Sequence, residues 1–216
     1  MPELLRATVK RLRAVRPDVL VCTGDLLDYP LDRMTDSDTL TLGSRDLELV
    51  HGILSGLPCP AIVLPGNHDP VDATLRAFGT PPEATVGNHR FLTFLDQEDE
   101  SNVPRRRGAE IQRFQAALAD DETLPQVHVQ HYVIWPEPQQ SDYPYCYAQA
   151  ESLCRQAVAS GAVRLVLSGH YHPGLEPRLL GGTWFATAPA YCEAPHPVWL
   201  YEVEGRVLRW RALQAA

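Results

Sequence analysis

Residues that can bind a metal ion occur at four places along this 216-residue chain. They are Gly24-Asp25-Leu26-Leu27-Asp28, Gly66-Asn67-His68-Asp69, the single residue His131, and Gly169-His170-Tyr171-His172. Three of the four places follow a run of apolar, largely β-branched residues, as expected after buried parallel strands, and the run before His131 is a weaker example. Because open α/β sheets place their sites at strand ends, we expect these side chains to converge on one crevice.

The candidate ligands are one carboxylate, one amide and three imidazoles: Asp25, Asn67, His131, His170 and His172. This mixture suits a borderline divalent transition metal such as Mn, Fe, Zn or Co, and it fits neither a calcium site nor a thiolate site. Any one of these histidines alone is more commonly a core or surface residue. Gly-Asp alone indicates a turn or a helix cap about as readily as a metal ligand. The joint pattern favours a metal site.

The four motifs, in this order, resemble those of the calcineurin-like metallophosphoesterase family. That family reads Asp-x-His, Gly-Asp-x-x-Asp, Gly-Asn-His-Asp/Glu, a lone His and Gly-His-x-His. The resemblance runs from about Pro17 to His172, but this sequence contains no Asp-x-His. It implies an α/β fold, a two-sheet sandwich flanked by helices, in which the N-terminal central strand is missing because the chain starts at the helix that would follow it.

The resemblance also implies a role for each matched ligand. Asp25 would bridge two metal ions, and His172 would bind the first ion. Asn67, His131 and His170 would bind the second ion together with Asp25. Without Asp-x-His, the first ion keeps only two protein ligands, so we expect one or two ions, with at most one held tightly.

The resemblance assigns the chemistry itself to His68 and Asp69. His68 would give a proton to the leaving oxygen, and Asp69 would orient the His68 ring. A second Gly-Asn-His, at Gly87-Asn88-His89, lacks the acid and falls in a predicted strand or hairpin, so we interpret it as a coincidence. Asp28 completes its motif and is interpreted as a loop organiser.

The implied activity is hydrolysis of a phosphomonoester or phosphodiester by a metal-bound hydroxide. Three explanations of the absent motif stay open. The sequence lacks an N-terminal segment, or the protein is a variant with one metal or a substitute ligand, or it is a non-catalytic protein-interaction scaffold of the same fold. The candidate substitute ligands are Asp36, Asp38, Glu193 and His196.

Composition narrows the expected partners and location. The net charge of −8 disfavours a nucleic-acid backbone or a membrane surface, whereas a small phosphoester substrate is compatible because a metal dominates its local field. Five scattered cysteines without Cys-x-x-Cys indicate a reducing compartment. With no signal peptide or membrane-length apolar stretch, we expect a cytoplasmic protein.

Two polar segments have more than one interpretation. The run Arg105-Arg106-Arg107 fits a solvated loop better than a contact to a substrate phosphate. The aromatic residues of the loop 132–146, which are Trp135, Tyr143 and Tyr145, could stack on a nucleobase, form an oligomer contact or pack within the loop.

The hydrophobic pattern predicts a single domain over residues 1–216 that alternates helices and strands and ends in antiparallel strands. Strands are predicted at 18–23, 61–64, 85–94, 126–130 and 163–168. Helices are predicted at 4–15, 44–57, 108–120 and 147–160, with a short helix that ends at Phe78. Residues 28–43 and 95–107 are predicted as loops. Without the family's central strand, an edge of strand 18–23 would be exposed. We expect a homo-oligomer through that edge, a strand borrowed from elsewhere in the chain, or poor solubility.

Overall fold

The computed structural model describes residues 1–120, 124–138 and 145–214. The α-helices are α1 (Pro2–Val15), α2 (Ser37–Leu54), α3 (Val71–Phe78), α4 (Ala109–Leu118) and α5 (Ala150–Ser160). The first strands are β1 (Leu20–Cys22), β2 (Ala61–Val63), β3 (Glu83–Val86), β4 (His89–Phe94), β5 (Gln97–Glu98) and β6 (Pro104–Arg105). The remaining strands are β7 (Gln126–Gln130), β8 (Val163–Ser168), β9 (Leu175–Leu180), β10 (Thr183–Thr187), β11 (Pro197–Glu204) and β12 (Val207–Gln214).

The main sheet has six strands in the order β3-β4-β7-β8-β10-β9. Its four central strands are parallel, and β3 and β9 pair antiparallel at the two edges. Every residue of β7 is buried, because cores cover both faces of this sheet. The core toward α4 and α5 contains Phe94, Phe114, Leu153, Val166 and Phe185.

A second layer, made of the pairs β1-β2 and β11-β12, covers the other face of the main sheet. The core between the two layers contains Leu64, Val127, Leu165, Leu167 and Leu208. A further core, with Val9, Leu12, Leu54, Leu57 and Val63, packs α1 and α2 on the outside of the second layer. The predicted α/β class, a sandwich of two sheet layers flanked by helices, is therefore confirmed.

The strand β1 is paired on one side within the described ranges, where β2 is its neighbour. The Leu20 amide donates to the Pro60 carbonyl (3.0 Å), and the Cys22 carbonyl accepts from Leu64 (2.9 Å). In a parallel ladder, the peptide groups of Val21 then point to the opposite edge. All three β1 residues are half-buried, in contrast to the fully buried β7.

The helix α2 begins at Ser37, earlier than the predicted start at Ser44. The prediction of a loop over 28–43 was therefore wrong for residues 37–43. Thr39, Gly43 and Leu47 are buried at four-residue spacing on one face of the helix. Gly43 lies close to Leu27, since a Cβ at Gly43 would be 3.1 Å from Leu27 Cδ1. The first turns of this face, at Thr39 and Gly43, therefore lack the large apolar residues that reveal a helix in sequence.

The predicted strand 85–94 is a hairpin, in which β3 and β4 pair with Val86 opposite His89. Gly87 supplies the left-handed turn residue, with φ of 58°. The predicted loop 95–107 also holds a short hairpin, formed by β5 and β6.

The interpretation of the arginine run as a solvated loop was wrong for Arg106, whose side chain is 0% exposed. Its guanidinium forms a two-pronged ion pair with Asp96, with both N–O distances 3.0 Å. It also donates to Gln130 Oε1 (3.0 Å) and the Tyr147 hydroxyl (3.2 Å). Because Gln130 is the last residue of β7, this buried network holds the strand end that precedes His131.

Burial alone would lower the pKa of Arg106, but the Asp96 charge more than offsets it, so the pKa is raised. The guanidinium also lies over the Phe94 ring, 4.0 Å from its centroid. A cation enclosed by a carboxylate and aromatic faces stays charged inside the core.

We expect Arg106→Ala to lower the free energy of unfolding by about 3–5 kcal/mol, because the Asp96 carboxylate would stay buried without its partner. Chemical denaturation followed by circular dichroism measures this change. Arg105→Ala is the matched control, since Arg105 is 41% exposed and its ion pair to Asp99 lies at the surface. A loss for Arg106→Ala no larger than that of the control would contradict the buried network.

Candidate metal centre

Four of the predicted ligands follow the carboxyl ends of parallel strands. Asp25 follows β1, Asn67 follows β2, His131 directly follows β7 and His170 follows β8. Since β7 and β8 lie in the six-stranded sheet and β1 and β2 lie in the facing layer, the two layers meet at this point. A hydrogen bond from the Gly169 amide to the His131 carbonyl (2.8 Å) joins the ends of β7 and β8.

The Nε2 atom of His131 lies at the centre of this group. It is 3.0 Å from Asn67 Oδ1, 3.1 Å from His170 Nδ1 and 3.3 Å from Asp25 Oδ2. The other ring nitrogen of His131, Nδ1, lies 2.6 Å from the Thr23 carbonyl. A carbonyl only accepts, so Nδ1 carries a proton, and Nε2 is the nitrogen whose lone pair would bind a metal ion once the ring has lost its second proton.

The protonation states of the metal centre depend on the contact between His131 and Asp25. Burial would raise the pKa of Asp25, but the hydrogen bond and charge of His131 lower it to about 2. Burial would lower the pKa of His131, but the Asp25 carboxylate raises it. Burial and the His131 charge lower the pKa of His170 to about 3. Asp25 is therefore ionised and His170 is neutral at pH 7, as ligands of a metal ion must be.

Two glycines allow the four strand ends to approach this closely. Gly24 has a φ of 107°, and a Cβ there would lie 2.5 Å from the Gly66 nitrogen and 2.7 Å from His131 Nδ1. A Cβ on Gly66 would overlap Asp25 Oδ1. Asp25 itself has a φ of 55°, in the left-handed region that ordinary residues rarely adopt, and such strain is concentrated at functional sites.

Asp69 does not orient the His68 ring, so that predicted contact was wrong. The Asp69 side chain is buried and both of its oxygens accept from backbone amides. Oδ1 accepts from Leu27 (3.0 Å), and Oδ2 accepts from Leu26 (3.1 Å) and Gly66 (2.9 Å). Asp69 therefore ties the loop after β1 to the loop after β2, because these turn amides have no ladder partner.

His68 lies beside the centre through its backbone. Its amide donates to Asp25 Oδ1 (3.0 Å), and its ring Nδ1 lies 3.4 Å from the Tyr29 carbonyl. The ring is half-buried. The carbonyl of Tyr29 thus takes the ring-orienting position that the sequence assigned to Asp69.

The fifth predicted ligand, His172, lies outside the group formed by Asp25, His131 and His170, whose donor atoms are all within 4.8 Å of one another. His172 is exposed, and its Nδ1 lies 2.7 Å from Glu193 Oε1. Glu193 is thus the candidate substitute ligand that contacts a predicted metal ligand.

The other three candidate substitutes have different surroundings. Asp36 is the N-cap residue of α2 and pairs with Arg33, and Asp38 is exposed in the first turn of that helix. His196 lies 2.9 Å from the Tyr191 carbonyl through Nδ1. The second Gly-Asn-His is remote as well, since its histidine begins β4 and the centre lies at the carboxyl ends of the parallel strands.

Aromatic rings enclose the imidazoles of the centre. Tyr132 contacts His131 and His170 edge-on, at centroid distances of 4.9 and 4.8 Å, and Tyr145 lies 5.5 Å from His170. Trp135 packs instead on Phe185 in the core, and Tyr143 lies outside the described residues.

Sequence reasoning missed the Tyr132 contact and the Thr23 carbonyl. A buried strand running into His131 was the available signal for the first, and a backbone carbonyl leaves no signal for the second.

The sequence model of the calcineurin-like phosphoesterases matches residues 2–174, so the chain belongs to that family. A dimetal phosphatase from Danio rerio has a similar structure, with 17% identity and a TM-score of 0.67 over 100% of this chain and 89% of its own. Another solved structure aligns at 15% identity with a TM-score of 0.71, over 99% of this chain and 94% of its own. At these identities the likeness shows the fold alone. No curated protein matches the chain.

Family membership implies divalent metal ions, and the donor set of the centre fits them. Two imidazoles, one carboxylate and one amide suit a borderline divalent ion and occupy neighbouring positions around one point. Among the helices of the described ranges, none has the length and apolar character that crossing a bilayer requires.

We expect Gly66→Ala to lose tight divalent-metal binding while keeping a cooperative unfolding transition, because the new methyl group would displace the Asp25 carboxylate. Isothermal titration with Mn²⁺ and thermal unfolding measure the two properties. Gly52→Ala is the matched control, since a Cβ there meets nothing within 4 Å and the residue lies in α2. Retained affinity in Gly66→Ala would contradict the close approach.

We expect metal affinity to rise about tenfold per pH unit up to the raised pKa of His131 and to level off above it. The sign follows because the pKa of His131 lies above its ordinary value of 6.5, so a proton occupies the ring at acidic pH and the metal must displace it. Titrations in buffers of different ionisation enthalpy count the proton released. An affinity that is constant across this range would contradict the His131–Asp25 contact.

Proposed function

We propose that this protein is a cytoplasmic metal-dependent phosphoesterase that hydrolyses a small phosphomonoester or phosphodiester. The observation that carries the proposal is the convergence of three donor atoms on His131 Nε2, from Asp25, Asn67 and His170. Membership of the calcineurin-like phosphoesterase family supports the same class of reaction. The net charge of −8 argues against nucleic acid as the partner, as it does against an anionic membrane surface.

The four residues of the centre would hold one divalent transition ion, Mn, Fe, Zn or Co. A bound ion would polarise a phosphoryl oxygen and lower the pKa of a water molecule. Asp25 supplies the negative charge, and its carboxylate is held by the His68 amide. The Thr23 carbonyl fixes the His131 tautomer, so that Nε2 faces the centre without rotation of the ring.

His68 would carry the proton to the leaving oxygen. With Nδ1–H directed at the Tyr29 carbonyl, the imidazolium form of the ring would carry its second proton on Nε2, and it would give that proton to the departing alkoxide and become neutral. The hydrogen bond between the His68 amide and Asp25 keeps this ring beside the centre throughout. Asp69 acts on the backbone of both loops and does not touch the transferred proton.

Metal content and hydrolysis test the proposal together. We expect elemental analysis to find at most one tightly held ion per chain. The position at His131 has four protein ligands, whereas a second position would have only two, Asp25 and His172. Hydrolysis of p-nitrophenyl phosphate and bis-p-nitrophenyl phosphate with Mn²⁺ gives the activity. His131→Ala should abolish both binding and hydrolysis, and His172→Ala should matter less. Two tightly held ions would contradict the count, and activity that survives His131→Ala would contradict the assigned centre.

A non-catalytic protein-interaction scaffold of the same fold is the second candidate. The exposure of His172, apart from the other predicted ligands, favours it. The two functions separate in one experiment, because a scaffold with an intact centre would bind Mn²⁺ and hydrolyse neither ester.

We also propose that the protein forms a homo-oligomer, in which two chains pair through the edge of β1 that faces away from β2. Val21 turns its peptide groups toward that edge, and the half-buried, apolar β1 would gain cover from a second strand. We expect the Val21 amide to become more protected from hydrogen exchange as the protein concentration rises. The Cys22 amide, which faces β2, is the internal reference. A monomer whose Val21 amide exchanges fast at every concentration would contradict this pairing.

We expect His68→Ala to lower turnover by about 10²–10⁴-fold and to leave Mn²⁺ affinity unchanged, because a general acid contributes to the transition state and not to coordination. Steady-state kinetics and metal titration on the same preparation measure the two effects. Parallel loss of metal would show that His68 belongs to the ligand set.

A further inference from the structure

The contact between His172 and Glu193 is the second feature of the structure that is suited to a metal ion. His172 Nδ1 lies 2.7 Å from Glu193 Oε1, and the two side chains are 53% and 59% exposed. An exposed ion pair of this kind contributes little to stability. The contact does, however, decide which ring nitrogen is available, because Nδ1 engaged with the carboxylate leaves Nε2 as the outward-facing nitrogen.

The backbone builds this contact into the fold. The Ala190 amide donates to the His172 carbonyl (2.9 Å), and the Glu193 amide donates to the Ala190 carbonyl (3.2 Å). The His196 amide in turn donates to the Glu193 carbonyl (2.7 Å). Glu193 thus sits in a turn that is attached directly to the residue whose ring it meets.

A tyrosine anchors the same turn to α1. The Tyr191 carbonyl lies 2.9 Å from His196 Nδ1, and its hydroxyl lies 2.8 Å from Thr8 Oγ1. The turn is therefore held at both of its ends, which limits where the Glu193 carboxylate can go.

The turn also lies beside the metal centre. His172 follows His170 after one residue, and the Tyr171 amide donates to the Gly169 carbonyl (2.7 Å) in the tight turn that carries both histidines. Because His170 Nδ1 is 3.1 Å from His131 Nε2, the pair of His172 and Glu193 is attached directly to the group that contains Asp25.

We infer that Glu193 is the positioning residue of a second, weaker divalent-ion position beside Asp25, where it accepts the Nδ1 proton of His172 and holds Nε2 toward the ion. Carboxylates that orient a ligating histidine in this way typically change metal affinity by about 10–100-fold. The inference rests on the proposed metal-dependent function and adds to it a residue outside the four motifs.

Titration of the intact protein with Mn²⁺ tests the inference, with the tight position filled first and the second binding phase followed by calorimetry. Glu193→Ala should weaken the second phase by about 10–100-fold and leave the first phase unchanged. Glu193→Gln should restore most of the loss, because its amide oxygen still accepts from His172 Nδ1. In a His172→Ala background, Glu193→Ala should have no further effect. Glu151→Ala is the control, since it removes a carboxylate from an exposed pair on α5.

Each contrary result has a distinct meaning. A second phase that is unchanged in Glu193→Ala would overturn the positioning role. If Glu193→Gln were as weak as Glu193→Ala and the double variant were weaker than His172→Ala, Glu193 would be a direct ligand and the inference would be wrong. A wild-type protein with no second phase would overturn the inference but leave a one-ion phosphoesterase intact. A wild-type protein that lacks the first binding phase as well would instead overturn the proposed function.

Discussion

The structure of this site depends on the bonding of the buried Asp69 carboxylate to three backbone amides. Those amides, of Leu26, Leu27 and Gly66, belong to the loops after β1 and β2. Without an acceptor they would be unsatisfied in a region of low dielectric constant, which costs more than an ordinary hydrogen bond contributes. Burial raises the pKa of Asp69 despite these bonds, so the protein maintains this carboxylate at a cost in free energy. That cost is consistent with a local structure retained for function.

The position of each metal-binding group follows from this connection between the two loops. The loops can meet only where Gly24 and Gly66 leave space for Asp25 and for the His131 ring. The facing sheet then contributes His131, whose strand end is held by the network around Arg106 and Gln130. Two independent buried carboxylates, one in each layer, therefore fix the two halves of one centre. The exposed pair of His172 and Glu193 lies at its border, where a loosely held ion would be expected to exchange.

The parts of the fold that sequence predicts best are those whose signal is local. The strands β7 and β8 match their predicted bounds because they lie between two cores and are bounded by turn residues. The start of α2 was missed because Thr39 and Gly43 form its buried face. Arg106 was misinterpreted because its charge partner Asp96 and its aromatic neighbours come together only in the tertiary structure. Asp69 was misassigned because a motif names neighbours in sequence, and the amides that it binds lie mostly on another loop.

The central claim is that Asp25, Asn67, His131 and His170 bind one divalent ion. Anomalous diffraction from crystals of the Mn²⁺-loaded protein, recorded above the manganese absorption edge, tests it most directly. We expect the strongest anomalous peak to lie among these four side chains, with both imidazoles directed at it through His131 Nε2 and His170 Nδ1. A strongest peak elsewhere, or no peak at this point in a protein that has bound Mn²⁺, would contradict it.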